Sequence, residues 1–133
     1  MSWLRKIFGG KDDLAAPPIT LDMDARREQL QALEDVLDKL VEVMKSNEDR
    51  MANPGWRERM AEYRRISGEA YTLRRGTFDR EKLLDLAFEI RPVFTGELPD
   101  DVKPVQPLQE EAMRAAKALQ EVLPGEQGPA AQS

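Results

Sequence analysis

Between residues 22 and 51 the apolar side chains fall at Met23, Leu30, Leu33, Leu37, Leu40, Met44 and Met51, with steps of three and four residues along one seam. That spacing draws an apolar stripe down one side of an α-helix. Only Arg26 and Asn47 break the seam, while Val36, Val41 and Val43 widen it. A two-stranded coiled coil needs a narrow stripe, so a widened one calls for neighbours on both flanks and predicts a bundle of three or more helices. Thr20 or Asp22 is suited to capping this helix, and Asp22 and Asp24 suit the positive end of its dipole.

Asn53-Pro54-Gly55 then reads as a turn, with Asn53 as cap and Pro54 at a first helical position, where a missing N–H costs nothing. A second helix over about 54–75 follows, with Trp56, Met60, Tyr63, Ile66, Ala70 and Leu73 on its apolar face. Ser67-Gly68 interrupts that face, and the glycine costs about 1 kcal/mol relative to alanine in a helix interior. So short a turn predicts that the two helices run antiparallel as a long hairpin.

Gly76 ends the second helix and Thr77 opens a third over about 77–91, with Phe78, Leu83, Leu84, Leu86, Ala87 and Ile90 as its apolar set. Pro92 stops it. Pro92, Pro99, Pro104 and Pro107 make residues 92–107 an extended strap, whose Val93, Phe94, Leu98, Val102 and Val105 are expected to lie across the bundle. A last helix over about 107–123 carries Leu108, Ala112, Ala115, Ala116, Leu119, Val122 and Leu123, and Pro124-Gly125 ends it. Residues 124–133 read as a polar, disordered tail.

Outside this body, residues 1–10 form a separate pattern. Trp3, Leu4, Ile7 and Phe8 share one side of a helical turn, Arg5 and Lys6 share the other, and Gly9-Gly10 follows. Residues 11–19, with Asp12, Asp13, Pro17 and Pro18, read as a flexible linker between this tip and a helical domain over 20–123. The expected fold is all-α: a three- to four-helix bundle built on a long antiparallel helical hairpin, with a flexible N-terminal tip and a C-terminal tail. No run of 18 apolar residues is present to span a bilayer as a helix. Arg5 and Lys6 break the opening apolar stretch, so it does not read as a secretory signal, and a cytoplasmic address is expected.

Composition removes whole classes of chemistry. The chain has no cysteine and no histidine, so disulfides, thiol nucleophiles, iron–sulfur ligands, imidazole bases and the usual zinc sites all lack their side chains. Glu34, Asp35, Asp38 and Glu42 fall at helical spacing but lack the glycine turn of a calcium loop, and they read as a solvated acidic stripe. Gly9-Gly10 follows no strand and lacks the Lys-Ser/Thr ending of a phosphate loop. No catalytic residue, metal site or cofactor is expected.

Charge separates the two long helices. Residues 22–49 hold nine acids and four bases, whereas residues 56–75 hold six arginines and three glutamates, a net of −5 facing a net of +3. The whole chain is acidic, with 20 Lys and Arg against 25 Asp and Glu. The chain therefore reads as a non-enzymatic helical adaptor or scaffold mediating protein–protein interaction, with homo-oligomerisation a natural extension. Trp3, Leu4, Arg5, Lys6, Ile7 and Phe8 are its candidate membrane or partner contact, directed to the anionic inner face of a membrane, to a partner groove or to the chain's own bundle. The alternative is a nucleic-acid-associated regulator using Arg57, Arg64, Arg65, Arg74 and Arg75. The acidic balance of the chain disfavours nucleic acid as the partner and leaves an acidic protein as the other reading of those arginines.

Overall fold

The structure is a computed structural model that describes residues 20–126. The tip residues Trp3, Leu4, Arg5, Lys6, Ile7 and Phe8 and the linker to residue 19 lie outside the described residues. Among the described residues the chain is all-helical, with five helices packed against one another: α1 (Met23–Lys45), α2 (Glu48–Met51), α3 (Pro54–Arg75), α4 (Arg80–Phe88) and α5 (Val105–Gln120).

The core is built around α1. Leu30, Leu33, Leu37, Leu40 and Met44 are completely buried, and Val36 and Val41 carry the burial to both flanks of the stripe. The widened stripe finds its two neighbours in α3 and α5, which both pack against α1. From α3 come Trp56, Met60, Tyr63, Ile66 and Ala70, and from α5 come Ala112, Ala116 and Leu119. The alanines let α5 approach closely. Each large aliphatic side chain sealed here contributes about 1.5–3 kcal/mol of transfer free energy.

The expected single helix over 22–51 is two helices. After Lys45 the backbone leaves the α-helical region at Asn47, whose Oδ1 accepts a hydrogen bond from the Arg50 amide at 3.2 Å and so caps α2. An asparagine side chain competes with the backbone for such donors, which is why it breaks a helix it interrupts. Asn53 repeats the device one turn later: its Oδ1 accepts from Gly55 N at 2.7 Å and Trp56 N at 3.3 Å, with Pro54 at the first position of α3.

The expected third helix over 77–91 is shorter at both ends. Asp79, not Thr77, takes the cap by accepting from Lys82 N at 3.0 Å, so α4 begins at Arg80 and ends at Phe88. It packs chiefly on α5 rather than across α3. The last helix begins at Val105, two residues before the expected 107, because Pro107 sits inside the first turn, where its missing N–H leaves nothing unpaired. It ends at Gln120, three residues before the expected 123.

Between α4 and α5 the strap is pinned by one buried amide. Gln109 Oε1 accepts from Val93 N at 2.8 Å and Phe94 N at 2.7 Å, while its Nε2 donates to Phe94 O at 2.9 Å. Phe94 then meets Trp56 edge to face, with ring centres 5.8 Å apart. Gly96, at φ +72°, supplies the left-handed turn that follows.

The C-terminal end of α5 is held by two arginines. Arg26, completely buried on α1, donates Nη1 to Ala118 O and Leu119 O, both at 3.3 Å, and Nη2 to Glu121 O. Arg80 Nη2 donates to Gln120 O at 2.7 Å. Apart from Ala118 O, which also accepts from Glu121 N, these are carbonyls the helix end leaves without internal partners, and a cation is favoured at that end of the dipole.

Residues 20–22 and 122–126 form a small unit of their own. Within it Pro124–Glu126 makes a single 3-10 turn, and the Glu126 side chain is buried, accepting from Asp22 N at 2.8 Å and Leu123 N at 3.1 Å. The tail expected to be free from residue 124 is therefore ordered through Glu126. A carboxylate collecting amide donors is what holds those three residues.

Candidate interaction surface

Helix α3 has two unlike sides. Its apolar residues recur at helical spacing toward α1, which leaves the arginines and glutamates between them on the outside. Ser67, the polar break in the apolar stripe, is buried and donates Oγ to Asp38 Oδ1 of α1 at 2.6 Å. The interruption is a hydrogen bond between the two long helices.

The arginines do not converge on one point. Arg57 donates to the Met51 carbonyl at 2.7 Å, tying α3 back to α2. Arg65 pairs with Glu69, with Glu89 of α4 at 2.9 Å, and with Glu62 at 3.7 Å. Arg74 donates Nε to Glu34 of α1 at 2.7 Å and lies 5.1 Å from the centre of the Tyr71 ring. Arg75 flanks the same ring at 5.4 Å. Arg64 is exposed, and no hydrogen bond or ion pair engages it among the described residues. Of the acidic stripe, Glu34 and Asp38 are engaged with α3, whereas Asp35 and Glu42 face solvent.

A groove of about 570 Å³ opens between α3 and α4. Gly68, Leu73 and Leu86 form its apolar part, and Arg65, Glu69, Lys82, Asp85 and Glu89 its charged walls. Its electrostatics are unbalanced: Arg65 serves three glutamates at once. Burial, and then the neighbouring Glu89 carboxylate, pushes the Glu69 carboxyl above its ordinary range against the opposing pull of Arg65. Arg65 is raised in turn, first by its hydrogen bond to Glu89. An arriving cation would find incompletely compensated carboxylates.

On the other side of α4 a second groove, of about 450 Å³, runs along α5 past Met113, Ala116 and Lys117. Phe88 lines it while remaining 61% exposed, the most exposed large apolar side chain among the described residues. Helix α4 thus stands as a ridge between two open grooves.

Sequence reasoning singled out neither Phe88 nor the α4 residues Lys82, Asp85 and Glu89. The signal for Phe88 was present: it falls out of phase with Leu83, Leu86, Ala87 and Ile90, the positions that α4 buries. No signal could have given the groove, which depends on α4 turning toward α5. No group of three or more acidic side chains is placed to hold a metal ion among the described residues, and no helix there is long and apolar enough to cross a membrane. Comparison with protein-family models, curated proteins and solved structures gave no match, so the surface is read from its own geometry.

Proposed function

We propose that this chain is a non-enzymatic helical adaptor or scaffold that binds a protein partner along the α4 ridge. The observation that carries the reading is Phe88, 61% exposed beside two grooves. Isolated exposed apolar residues are common, but one lining an open groove marks a place where burial is still to be gained. Covering the ring contributes about 1.5–3 kcal/mol. The fitting occupant is an amphipathic helix with basic residues at its edge. Its apolar side chains meet Phe88 and Leu73, and its cations meet the carboxylates of Glu69, Asp85 and Glu89.

The body behind the ridge serves as a rigid platform, a long antiparallel hairpin of α1 and α3 closed by α5. Three contacts support that direction, because they advance along α1 while retreating along α3: Arg27 to the Arg74 carbonyl, Asp38 to Ser67, and the Met44 carbonyl to Trp56. The N-terminal tip recruits this platform to the anionic inner face of a membrane. Its support is the segregation of Trp3, Leu4, Ile7 and Phe8 from Arg5 and Lys6. Each basic residue contributes about 1 kcal/mol near such a surface, so one tip binds weakly and several acting together bind well.

A photo-crosslinking residue at position 88 tests the ridge in the cells that make the protein. One discrete adduct is expected from position 88, lost on Asp85→Lys at the exposed wall of the groove, and none from the exposed position 110 on α5. The same adducts from both positions would remove the ridge as a docking face. For the tip, phosphatidylglycerol vesicles should retain the full chain and release a version lacking residues 1–10. Equal retention of the two would remove the membrane reading.

A further inference from the structure

Helix α3 has a second outward face, formed by Arg57, Ala61, Arg64, Gly68, Tyr71 and Arg75, all exposed. The steps along it are four, three, four, three and four residues, the spacing of a seam that faces another helix. Its cations are unopposed along the seam. Gly68 is the informative member: a methyl group built on it meets nothing within 4 Å, so no packing inside this chain requires a glycine there. A glycine at mid-helix lowers helix stability and survives where another backbone comes close. Tyr71, 43% exposed between Arg74 and Arg75, adds a flat apolar surface at one end.

Helix α1 presents the counterpart. Asp24, Glu28, Gln31, Asp35, Asp38 and Glu42 are all exposed, with Asp38 also accepting from Ser67 of α3, and follow the same steps of four, three, four, three and four. The two seams are equally long, about 27 Å at 1.5 Å per residue. One holds three arginines and no acid, the other five acids and no base.

From this match we infer that the α3 seam receives the α1 seam of a second copy of this chain. The α1 seam is the favoured occupant because it matches in charge, in length and in spacing. The contact is mainly electrostatic, with Gly68 and Ala61 letting the helices approach and Tyr71 supplying a small apolar area. It is therefore weak and salt-dependent. It borders the α4 ridge, because Gly68 also lines the α3–α4 groove, but its arginines carry a different chemistry from the carboxylates there.

Light scattering on the full-length protein tests the inference. At about 0.1 M salt the mass should exceed that of one chain and fall toward one chain at about 1 M, where screening has shortened to about 3 Å. Arg64→Glu and Asp35→Arg should each weaken association at least tenfold. Both positions are exposed, so both variants fold. Mixing the two variants should restore pairing, because each supplies the complement the other lacks. Gly68→Ala should raise the melting temperature of the dilute protein and weaken pairing.

A wild type that stays single at low salt would overturn the inference. So would association that ignores both charge reversals, which would point to the apolar tip. Low-salt binding of an oligonucleotide that Arg64→Glu abolishes, with no self-association, would assign the seam to nucleic acid instead. Asp85→Lys leaves the pairing intact, and Arg64→Glu leaves the position-88 adduct intact, so failure of either reading is distinguishable from failure of the other.

Discussion

The two ends of α1 hold the C-terminal half of the bundle by opposite means. Near Met23 the tie is Arg26, sealed from solvent, with a guanidinium that reaches the carbonyls of Ala118, Leu119 and Glu121. Near Lys45 it lies at the surface, where Asn47 and Arg50 both donate to Asp101 of the strap. Water can replace the partners at the second end but not at the first. A buried carbonyl that loses its donor bears the full desolvation cost, whereas an exposed ion pair is screened and contributes little. The strength of each tie therefore follows from its burial rather than from its number of hydrogen bonds.

Arg26→Met breaks this contrast most severely. The substitution keeps much of the volume and leaves the end of α5 without its donor, for an expected loss of about 3 kcal/mol. Urea denaturation measures it directly. Arg26→Lys should recover only part of the loss, because an ammonium cannot span three carbonyls as the planar fork does. An unchanged midpoint for Arg26→Met would mean that α5 is held by its alanine face alone.

Trp56→Phe tests whether the Lys45 end has a buried tie as well. Trp56 Nε1 donates to Met44 O at 2.9 Å in a buried setting, and the ring also meets Phe94 of the strap. Losing the donor and part of the ring should cost about 1–2 kcal/mol, less than Arg26→Met, because the Met44 carbonyl keeps the Asn47 amide as a donor. Tyr63→Phe supplies the converse case. The Tyr63 hydroxyl is buried with no hydrogen-bond partner among the described residues, and burial pushes the phenol up to about 12. Removing an oxygen that is already unpaired should be neutral, or stabilise by up to about 1 kcal/mol in the same urea titration.

The residues that carry these ties are those at which the sequence pattern failed. Arg26 and Asn47 are the two breaks in the α1 seam, and Ser67 is the polar break in the α3 stripe. Each sits where an apolar residue belongs and bonds to a group far along the chain. Periodicity could report the exception but not its partner. The all-helical class was legible because Leu30 through Met44 and Trp56 through Ala70 are dense, local signals. Helix ends were legible where one residue does the work, as at Asn53, and misplaced where two caps compete, as with Thr77 and Asp79. The α4 ridge was hidden for a different reason: the phase of Phe88 marks it as outward, but the grooves beside it depend on which neighbour α4 chooses, and nothing within nine residues of helix records that choice. The arginines of α3 were visible as a cluster, but only their pairing in the fold separates Arg65 and Arg74, engaged by carboxylates, from Arg64 on the open seam.

The smallest expected effect sharpens the surface side of the comparison through pH. The hydrogen bonds from Arg50 and then Asn47 hold the Asp101 carboxyl at about 2, below the ordinary value near 3.9 in an unfolded chain. A carboxyl depressed by folding stabilises the folded state above the unfolded pKa and loses that contribution as pH falls through the folded one. The window therefore runs from about pH 4 down to about pH 2. Other carboxylates titrate in the same range, so the informative quantity is the difference between wild type and Asp101→Asn. That difference in urea midpoint should be small and positive at pH 5, and should close by pH 2. Asparagine can still accept from Asn47 but cannot pair with the Arg50 charge. A gap that persists at pH 2 would show that the tie is geometric rather than ionic, and the two ends of α1 would then differ in solvent exposure alone.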